Sequence, residues 1–371
     1  MTTRAISIDV IRIPTKGPGD VSGLIQLIET GSIDPASILA ILGKTEGNGG
    51  VNDFTREYAV SALSVALSPY LALPPHGVEQ RIAFVMSGGT EGVLCPHITV
   101  FTRKISDGEV SPRIAGKRLS IGIAQTRDFL PEELGRMAQV RETEEAVRAA
   151  MTDAGIDDPS DVHFVQIKCP LLTSDRMEDA HGRGQKTVTS SAYGSMGYSR
   201  GASALGVAAA LEEVKGEIND EHILKKYDWF SSVASTSAGI ELMHNVVIVM
   251  GNSSHATSSL VIGHAVMRDA IDHAAVADAL KSVGLESSHA SIAPDRLVNI
   301  FAKAEASPDG TVRGWRHTML EDTDISSTRH ARAAVGGLIG GLAGTGAVYV
   351  SGGAEHQGPP GGGPVAAIAR V

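Results

Sequence analysis

The sequence predicts an α/β (α+β) fold: three similar strand–helix repeat units around a pseudo-threefold axis, barrel-like, with one central active site. Three observations predict it. SGGTEG at residues 87–92 follows an apolar run, and the same figure returns as SAGIE at 237–241 and SGGAE at 351–355. Upstream of each serine a lysine ends an apolar stretch: AILGK at Lys44, FVQIK at Lys168 and NIFAK at Lys303. Between the two, an arginine stands in a small-residue, helix-like segment: TREYAVSAL at Arg56, SRGASALGVAAAL at Arg200, and TRHARAAVGGLIGGL at Arg329 or Arg332. One set of landmarks in one order, three times, marks an internal repeat. Three such units can close around an axis as identical subunits close a ring.

Each unit reads as strand, helix, lysine strand, loop, arginine helix and serine strand. Boundaries fall near 105 and 251, dividing the chain into 1–105, 106–251 and 252–371. The clearest helix is PEELGRMAQVRETEEAVRAAMTDAG, with Pro131 at its start, acids in its first turn and Gly155 at its stop. DHAAVADALKSVG repeats the pattern and closes on Gly284. Lysine and serine lie 43, 69 and 48 positions apart in the three units. The extra length of the middle unit is TSDRMEDAHGRGQKTVTSSAYGSM, whose polar, glycine-rich composition predicts an inserted loop. Helices alternating with apolar strands imply helices layered on sheets.

Bulk properties narrow the function. A chain of 371 residues, 42% hydrophobic and 20% charged, has the balance of a globular protein. Aromatics make up only 4% while glycine reaches 42 residues, so Ala, Val, Ile and Leu must build the core. A formal charge of −10 excludes the basic footprint of a nucleic-acid binder. It leaves room for an anionic small molecule in a pocket dominated by local arginines. The two cysteines, Cys95 and Cys169, form no disulfide framework. The charged N-terminus lacks a signal-peptide core, and no run of 18 apolar residues offers a membrane span. A cytoplasmic protein is expected.

The repeated residues suit one chemistry. A serine hydroxyl attacks once a neighbouring base removes its proton, and a lysine desolvated among other cations is such a base. Glycines beside the serine leave N–H groups open to an oxyanion. Arginine presents forked donors to carbonyl oxygens. Any one such serine is more often a turn or helix cap, and any one such lysine a solvated strand end. Repetition of the whole set favours function, since a structural repeat has no reason to keep a lysine and an arginine in every unit.

Other signals weigh less. GRGQKT at 182–187 has the wrong spacing for a phosphate loop, and GLAGTG at 341–346 reads as packing glycine. His97, His244 and His356 follow the serine motifs and read as surface or hydrogen-bonded residues. Cys169 reads as a buried filler. The tail SGGAEHQGPPGGGP is a tight loop whose carbonyls could bind a hard cation, with Glu305 as the natural carboxylate.

The chain closely resembles the cyanuric acid hydrolase and barbiturase family of ring-opening amidohydrolases. The resemblance spans nearly the whole sequence, through ILGKTEGNGGVNDFTR, VMSGGTEG, VQIKCPLL, YGSMGYSRGASALGVA, ASTSAGIEL and VYVSGGAEHQGPPGGGP. It implies hydrolysis of one amide bond of cyanuric acid, opening the ring to carboxybiuret, which loses CO2 to give biuret. It implies Ser237 as nucleophile and Lys168 as its base. Ser87 and Ser351, with Lys44 and Lys303, would bind the rest of the substrate, along with Gly88, Ala238 and Gly352. Arg56, Arg200 and Arg332 would contact ring oxygens, and Arg329 would bear on substrate choice, although the repeat alone does not separate Arg329 from Arg332.

The family pattern also implies a structural divalent cation, Mg or Ca, on Glu305 and the backbone of Ala354, Gln357, Gly358, Pro359 and Gly362. It further implies no organic cofactor and a homotetramer. Two alternatives stay open on the residues: a barbiturase opening a pyrimidine trione, and a small-molecule binding protein without chemistry.

Overall fold

The computed structural model describes residues 4–107, 116–285 and 295–371. Its first part runs β1 (Arg4–Pro14), α1 (Ser22–Glu29), β2 (Ile38–Thr45), α2 (Phe54–Leu71), α3 (Pro75–Arg81), β3 (Ala83–Gly88) and β4 (His97–Asp107). The middle part runs β5 (Arg118–Gln125), α4 (Met137–Ala154), β6 (Val162–Pro170), α5 (Ser174–Gly182), α6 (Ala192–Ala210), β7 (Ala234–Gly239) and β8 (Val246–Ser253). The last part runs β9 (Leu260–Met267), α7 (His273–Ser282), β10 (Leu297–Ala304), a ribbon of β11 (Thr311–Val312) and β12 (Trp315–Arg316), α8 (Ser327–Ala343), β13 (Tyr349–Gly352) and β14 (Gly363–Arg370).

Among the described residues, three four-stranded sheets result, ordered β1-β4-β2-β3, β5-β8-β6-β7 and β9-β14-β10-β13. The order is the same in each: first strand, closing strand, lysine strand, serine strand. The closing strand is antiparallel to both neighbours, and the lysine and serine strands are parallel. The expected barrel closure is not seen among the described residues. The sheets remain separate and their inner faces meet through side chains, while Ile6 of β1 is also bridged by backbone hydrogen bonds to the loop before β9.

That meeting follows from strand alternation. Along β8, Val246, Ile248 and Met250 enter a core shared by all three sheets, while Val247 and Val249 pack on the middle helices. Along β14, Ala366 and Ile368 face the shared core and Val365, Ala367 and Ala369 face the helices of the last sheet. Phe101, Phe164, Phe301 and Tyr349 crowd together there, with Phe301 tilted against the other three. Each sheet thus has a helix-covered outer face and an inner face turned to the centre.

Three local readings need correction. The closing strands β4, β8 and β14 had not been assigned a place in the unit, although each lies mid-sheet. The middle-part helix begins at Met137, not Pro131. Gly135 takes φ of 72° and separates a short 3-10 turn at Pro131–Glu133 from the helix proper. Its stop at Gly155, in left-handed conformation, is as expected. The polar insert is not simply a loop, because it carries all of α5 and its last residues open α6 on the Ser191 cap.

Candidate active site

The lysines are placed by alternation. Ala40 and Leu42 of β2 lie in the shared core, so Lys44, two residues on, points the same way. Phe164 of β6 and Phe301 of β10 set the same phase for Lys168 and Lys303. On the parallel neighbours, Val85 and Tyr349 set it for Ser87 and Ser351. Register then pairs Lys44 with Ser87, Lys168 with Ser237 and Lys303 with Ser351. All three lysines are at most 1% exposed.

These side chains end beneath one small recess with a cavity volume of about 30 Å³, lined by Ser87, Gly88, Ser237, Ala238, Ser351, Gly352, Arg56, Arg200 and Arg332, with Gly49, Met86 and Met196. Arg332 lines it and Arg329 does not, a distinction the repeat left open. Arg329 stands behind, with its Nε 3.1 Å from Glu91 Oε1 and its side chain 39% exposed.

Within the recess the three units differ. Lys44 Nζ donates to Ser87 Oγ at 3.0 Å and to the Val350 carbonyl at 2.7 Å. Lys303 Nζ donates to Ser351 Oγ at 3.2 Å, the Thr236 carbonyl at 2.8 Å and the Gly352 carbonyl at 3.1 Å. Lys168 makes no aligned hydrogen bond, and its Nζ lies in close ionic contact with Glu241 Oε1 at 2.6 Å. Ser237 Oγ instead shares a hydrogen bond with Ser351 Oγ at 3.1 Å.

The glutamates closing the serine motifs had received no role from the sequence, yet they hold the arginines. Glu91 takes Arg332 through Nη2–Oε1 at 2.6 Å and Nε–Oε2 at 2.9 Å. Glu355 takes Arg200 through Nη2–Oε1 at 2.6 Å and Nε–Oε2 at 2.7 Å. Each clasp joins different parts of the chain. The glycine two places after each serine makes room for it: a Cβ on Gly89 would lie 2.6 Å from Arg332, and one on Gly353 would lie 2.7 Å from Arg200. The matching third clasp, Glu241 with Arg56, is not formed. Arg56 bonds the Gly50 carbonyl at 2.8 Å and the Ala238 carbonyl at 3.3 Å, and its buried Nε has no partner. The signal for these glutamates was present, since each stands four positions after its serine.

Tyr349 was also missed. Its hydroxyl is buried beside the serines without an aligned hydrogen bond, and its ring lies 5.9 Å from Lys44 Nζ. Nothing two residues before the other serines, Val85 or Ser235, resembles it.

Burial is the chief cause lowering all three lysines. Lys44 falls well below its usual range, helped by Arg332 and Lys303. Lys303 falls to about 7, helped by Arg200. Lys168 is lowered too, but the charge of Glu241 opposes its burial. Burial would raise Glu241 itself, yet Lys168 and then Arg56 outweigh it and hold the carboxyl at about 2.

The tail loop packs against Glu305, whose Oε2 accepts from the Gly361 N–H at 3.3 Å. Burial, then the neighbouring Glu355 charge, push the Glu305 carboxyl up to about 7. A cation beside it would relieve both effects, so the local chemistry fits one. Gln357 spends its side chain on Thr236 N and the Gly353 and Glu355 carbonyls, so only its carbonyl is left to serve. No group of three or more His, Cys, Asp or Glu that could hold a metal is found among the described residues. A site here would therefore rest on carbonyl oxygens.

The histidines after the motifs are hydrogen-bonded, His97 to the Cys95 carbonyl, His244 to Asp128 and His356 to the Trp229 carbonyl. Cys169 is fully buried. No helix among the described residues is long and apolar enough to cross a membrane.

Residues 9–370 match the profile of the amidohydrolase ring-opening protein family. The chain belongs to that family of enzymes. It is 73% identical to the cyanuric acid amidohydrolase of Bradyrhizobium diazoefficiens over 99% of both chains. It is 61% identical to that of Pseudomonas sp. strain ADP, over 98% of this chain and 99% of the other. A solved cyanuric acid hydrolase structure superposes with a TM-score of 0.94 at 60% identity, covering 99% of this chain and all of that one. The ring-opening amidohydrolase therefore carries its repeated lysines, serines and arginines in a fold shared with solved members.

Proposed function

We propose that the enzyme opens the ring of cyanuric acid, with Ser237 as nucleophile and Lys168 as its base, giving carboxybiuret and then biuret and CO2. The observation that carries the reading is the recess itself, where three Lys–Ser registers and three arginines face one small volume. Cyanuric acid has three carbonyls and three N–H groups in threefold array, so each group meets one unit. A partner left unmet would cost about 1–3 kcal/mol. The names of the relatives agree with this substrate.

In this reading the Lys168 amine takes the Ser237 proton, Oγ attacks one carbonyl carbon, and the ring C–N bond breaks as the nitrogen takes that proton. Water then releases the acyl group from Ser237. The Nζ–H groups of Lys44 and Lys303 donate to the developing oxyanion. Ser87, Ser351, Gly88, Gly352 and Ala238 hold the ring, while Arg56, Arg200 and Arg332 hold its oxygens. Arg329 tunes substrate choice through Glu91. The architecture is three units, 1–105, 106–251 and 252–371, around a pseudo-threefold axis. A divalent cation on Glu305 and the carbonyls of Ala354, Gln357, Gly358, Pro359 and Gly362 ties the tail to the site, and the protein works as a cytoplasmic homotetramer.

One observation favours a second reading. The hydrogen-bonded pairs are Lys44–Ser87 and Lys303–Ser351, not Lys168–Ser237. A serine-directed acylating inhibitor followed by peptide mapping decides between them: label on Ser237 supports the middle dyad, and label on Ser87 or Ser351 at comparable yield overturns it. Release of CO2 from cyanuric acid, compared with ring opening of barbituric acid, tests the substrate.

A further inference from the structure

Lys168 is 1% exposed and surrounded by protein, so its proton has no direct way to water. Its closest charged partner, Glu241, is different. The Glu241 side chain is 36% exposed and lines a cleft between the first two sheets, together with Glu57, His76, Glu79, Gln125 and His244. One carboxylate therefore touches the buried amine on one side and a solvent cleft on the other. Neither Lys44 nor Lys303 has a carboxylate in ion-pair contact among the described residues; serine and carbonyl oxygens hold both.

The arginine side of the same group is unfinished. Glu91 and Glu355 sit on Arg332 and Arg200, while the buried Nε of Arg56 is left without an acceptor. Glu241 lies close enough to feel both Lys168 and Arg56. The carboxylate thus has two places, one occupied and one open.

We propose that Glu241 is the positioning residue that makes the middle serine the reactive one. It holds the Lys168 ammonium away from Ser237. On activation one ammonium proton leaves along this ionised carboxylate to cleft water, and the amine becomes neutral. The carboxylate, no longer facing an ammonium, settles on Arg56 Nε, completing the third clasp, and the free amine turns to Ser237 Oγ. Each proton is accounted for: Lys168 loses one to cleft water, and Ser237 later gives its own to Lys168.

The charges facing this pair are Arg56 from α2, Arg176 from α5 and Cys169 beside Lys168 on β6, with Glu57 across the cleft. Glu241 favours the ammonium more than Cys169 does, and Arg56 opposes it. Removing the Glu241 charge makes the lysine easier to deprotonate.

The inference rests on Ser237 and Lys168 being the working dyad, and the experiment separates the two. Ser237→Ala is measured first, and retained turnover would mean the dyad reading has failed. With the dyad established, Glu241→Gln is compared with wild type in its pH profile of kcat/KM on cyanuric acid. The acid limb, which reports formation of the amine, should move down by at least about half a pH unit, with the plateau lowered about tenfold or more. A limb that stays at its wild-type pH overturns the inference, whatever the plateau does. If Glu241→Gln does not fold, Glu241→Asp keeps the charge on a shorter arm. It should keep the limb and lose about fivefold or more in rate, and an unchanged rate would overturn the inference equally.

Discussion

The middle lysine and its two counterparts share a register and burial but not a set of partners. Lys44 and Lys303 each reach their own serine and also the carbonyl before the next serine, Val350 or Thr236. Lys168 does neither, because Glu241 draws it aside. The outer glutamates, by contrast, clasp arginines from a helix of another part of the chain, Arg332 of α8 and Arg200 of α6. One exchange of partners, a glutamate on a lysine rather than on an arginine, separates the middle unit from the other two. A threefold substrate demands such a break, since only one carbonyl is attacked. It need not come from different residue types: the same lysine, serine and glutamate stand in every unit.

The strongest way to break this comparison is to delete the dyads one at a time. Ser237→Ala and Lys168→Ala should each lower turnover about 10³-fold or more, and combining them should cost little further, because the pair acts as a unit. Ser87→Ala and Ser351→Ala should cost far less and appear partly in KM. Equal losses in steady-state assays of all three serine variants would erase the distinction. The lysines set a harder test. Lys44 and Lys303 are pushed lower than an ordinary amine, while Glu241 supports the charge on Lys168. A lysine desolvated among other cations is the better base, and by that measure Lys44 and Lys303 are favoured over Lys168.

Stability sharpens the contrast next. Glu91→Gln leaves Arg332, 4% exposed, as a buried cation that cannot shed its proton, and should cost about 3 kcal/mol. Glu241→Gln should cost less, since Lys168 can become neutral. Urea denaturation of both variants compares them, and a Glu241→Gln loss as large as that of Glu91→Gln would contradict the account. The glycines should follow the same order. Gly353→Ala forces a residue at φ of 77° against Arg200 and should destabilise more than Gly239→Ala. At Gly239 a Cβ meets only the carboxylate end of Glu241.

The smallest effect concerns the tail. Glu305 titrates at about 7 in the folded protein, above its ordinary value of 4.5, so the folded state holds that proton more tightly than the unfolded chain. Its contribution is therefore full below about pH 4.5 and is lost as pH rises through 7. Chelator-treated protein should melt progressively lower across that window. Added Mg or Ca should raise the melting temperature more at pH 8 than at pH 5, and Glu305→Ala should abolish that response. Identical melting with and without cation at pH 8, and no metal by elemental analysis, would remove the cation from the proposal.

The sequence alone determined the landmarks and their order, and with them the inward face. Strand alternation is a local rule, so Phe301 in the core is enough to aim Lys303 at the centre. It also determined the motif glycines and the end of α4 at Gly155, because these depend on neighbouring backbone. It misjudged the insert, where composition resembled a loop but nine residues, Ser174–Gly182, wind into α5.

What only the tertiary structure decided lies between residues far apart in the chain. Glu91 meets Arg332 across 241 positions and Glu355 meets Arg200 across 155, and no spacing rule reaches that far. The same holds for Arg332 rather than Arg329 at the recess, which the seating of α8 against the SGGTEG turn decides. The bond from Glu241 to Lys168 rather than Arg56 is also of this kind. The motif names the glutamate, but the choice between two cations depends on where the first and second sheets leave it room, and on which cation has other acceptors. Arg56 has the carbonyls of Gly50 and Ala238, while Lys168 has no other aligned partner.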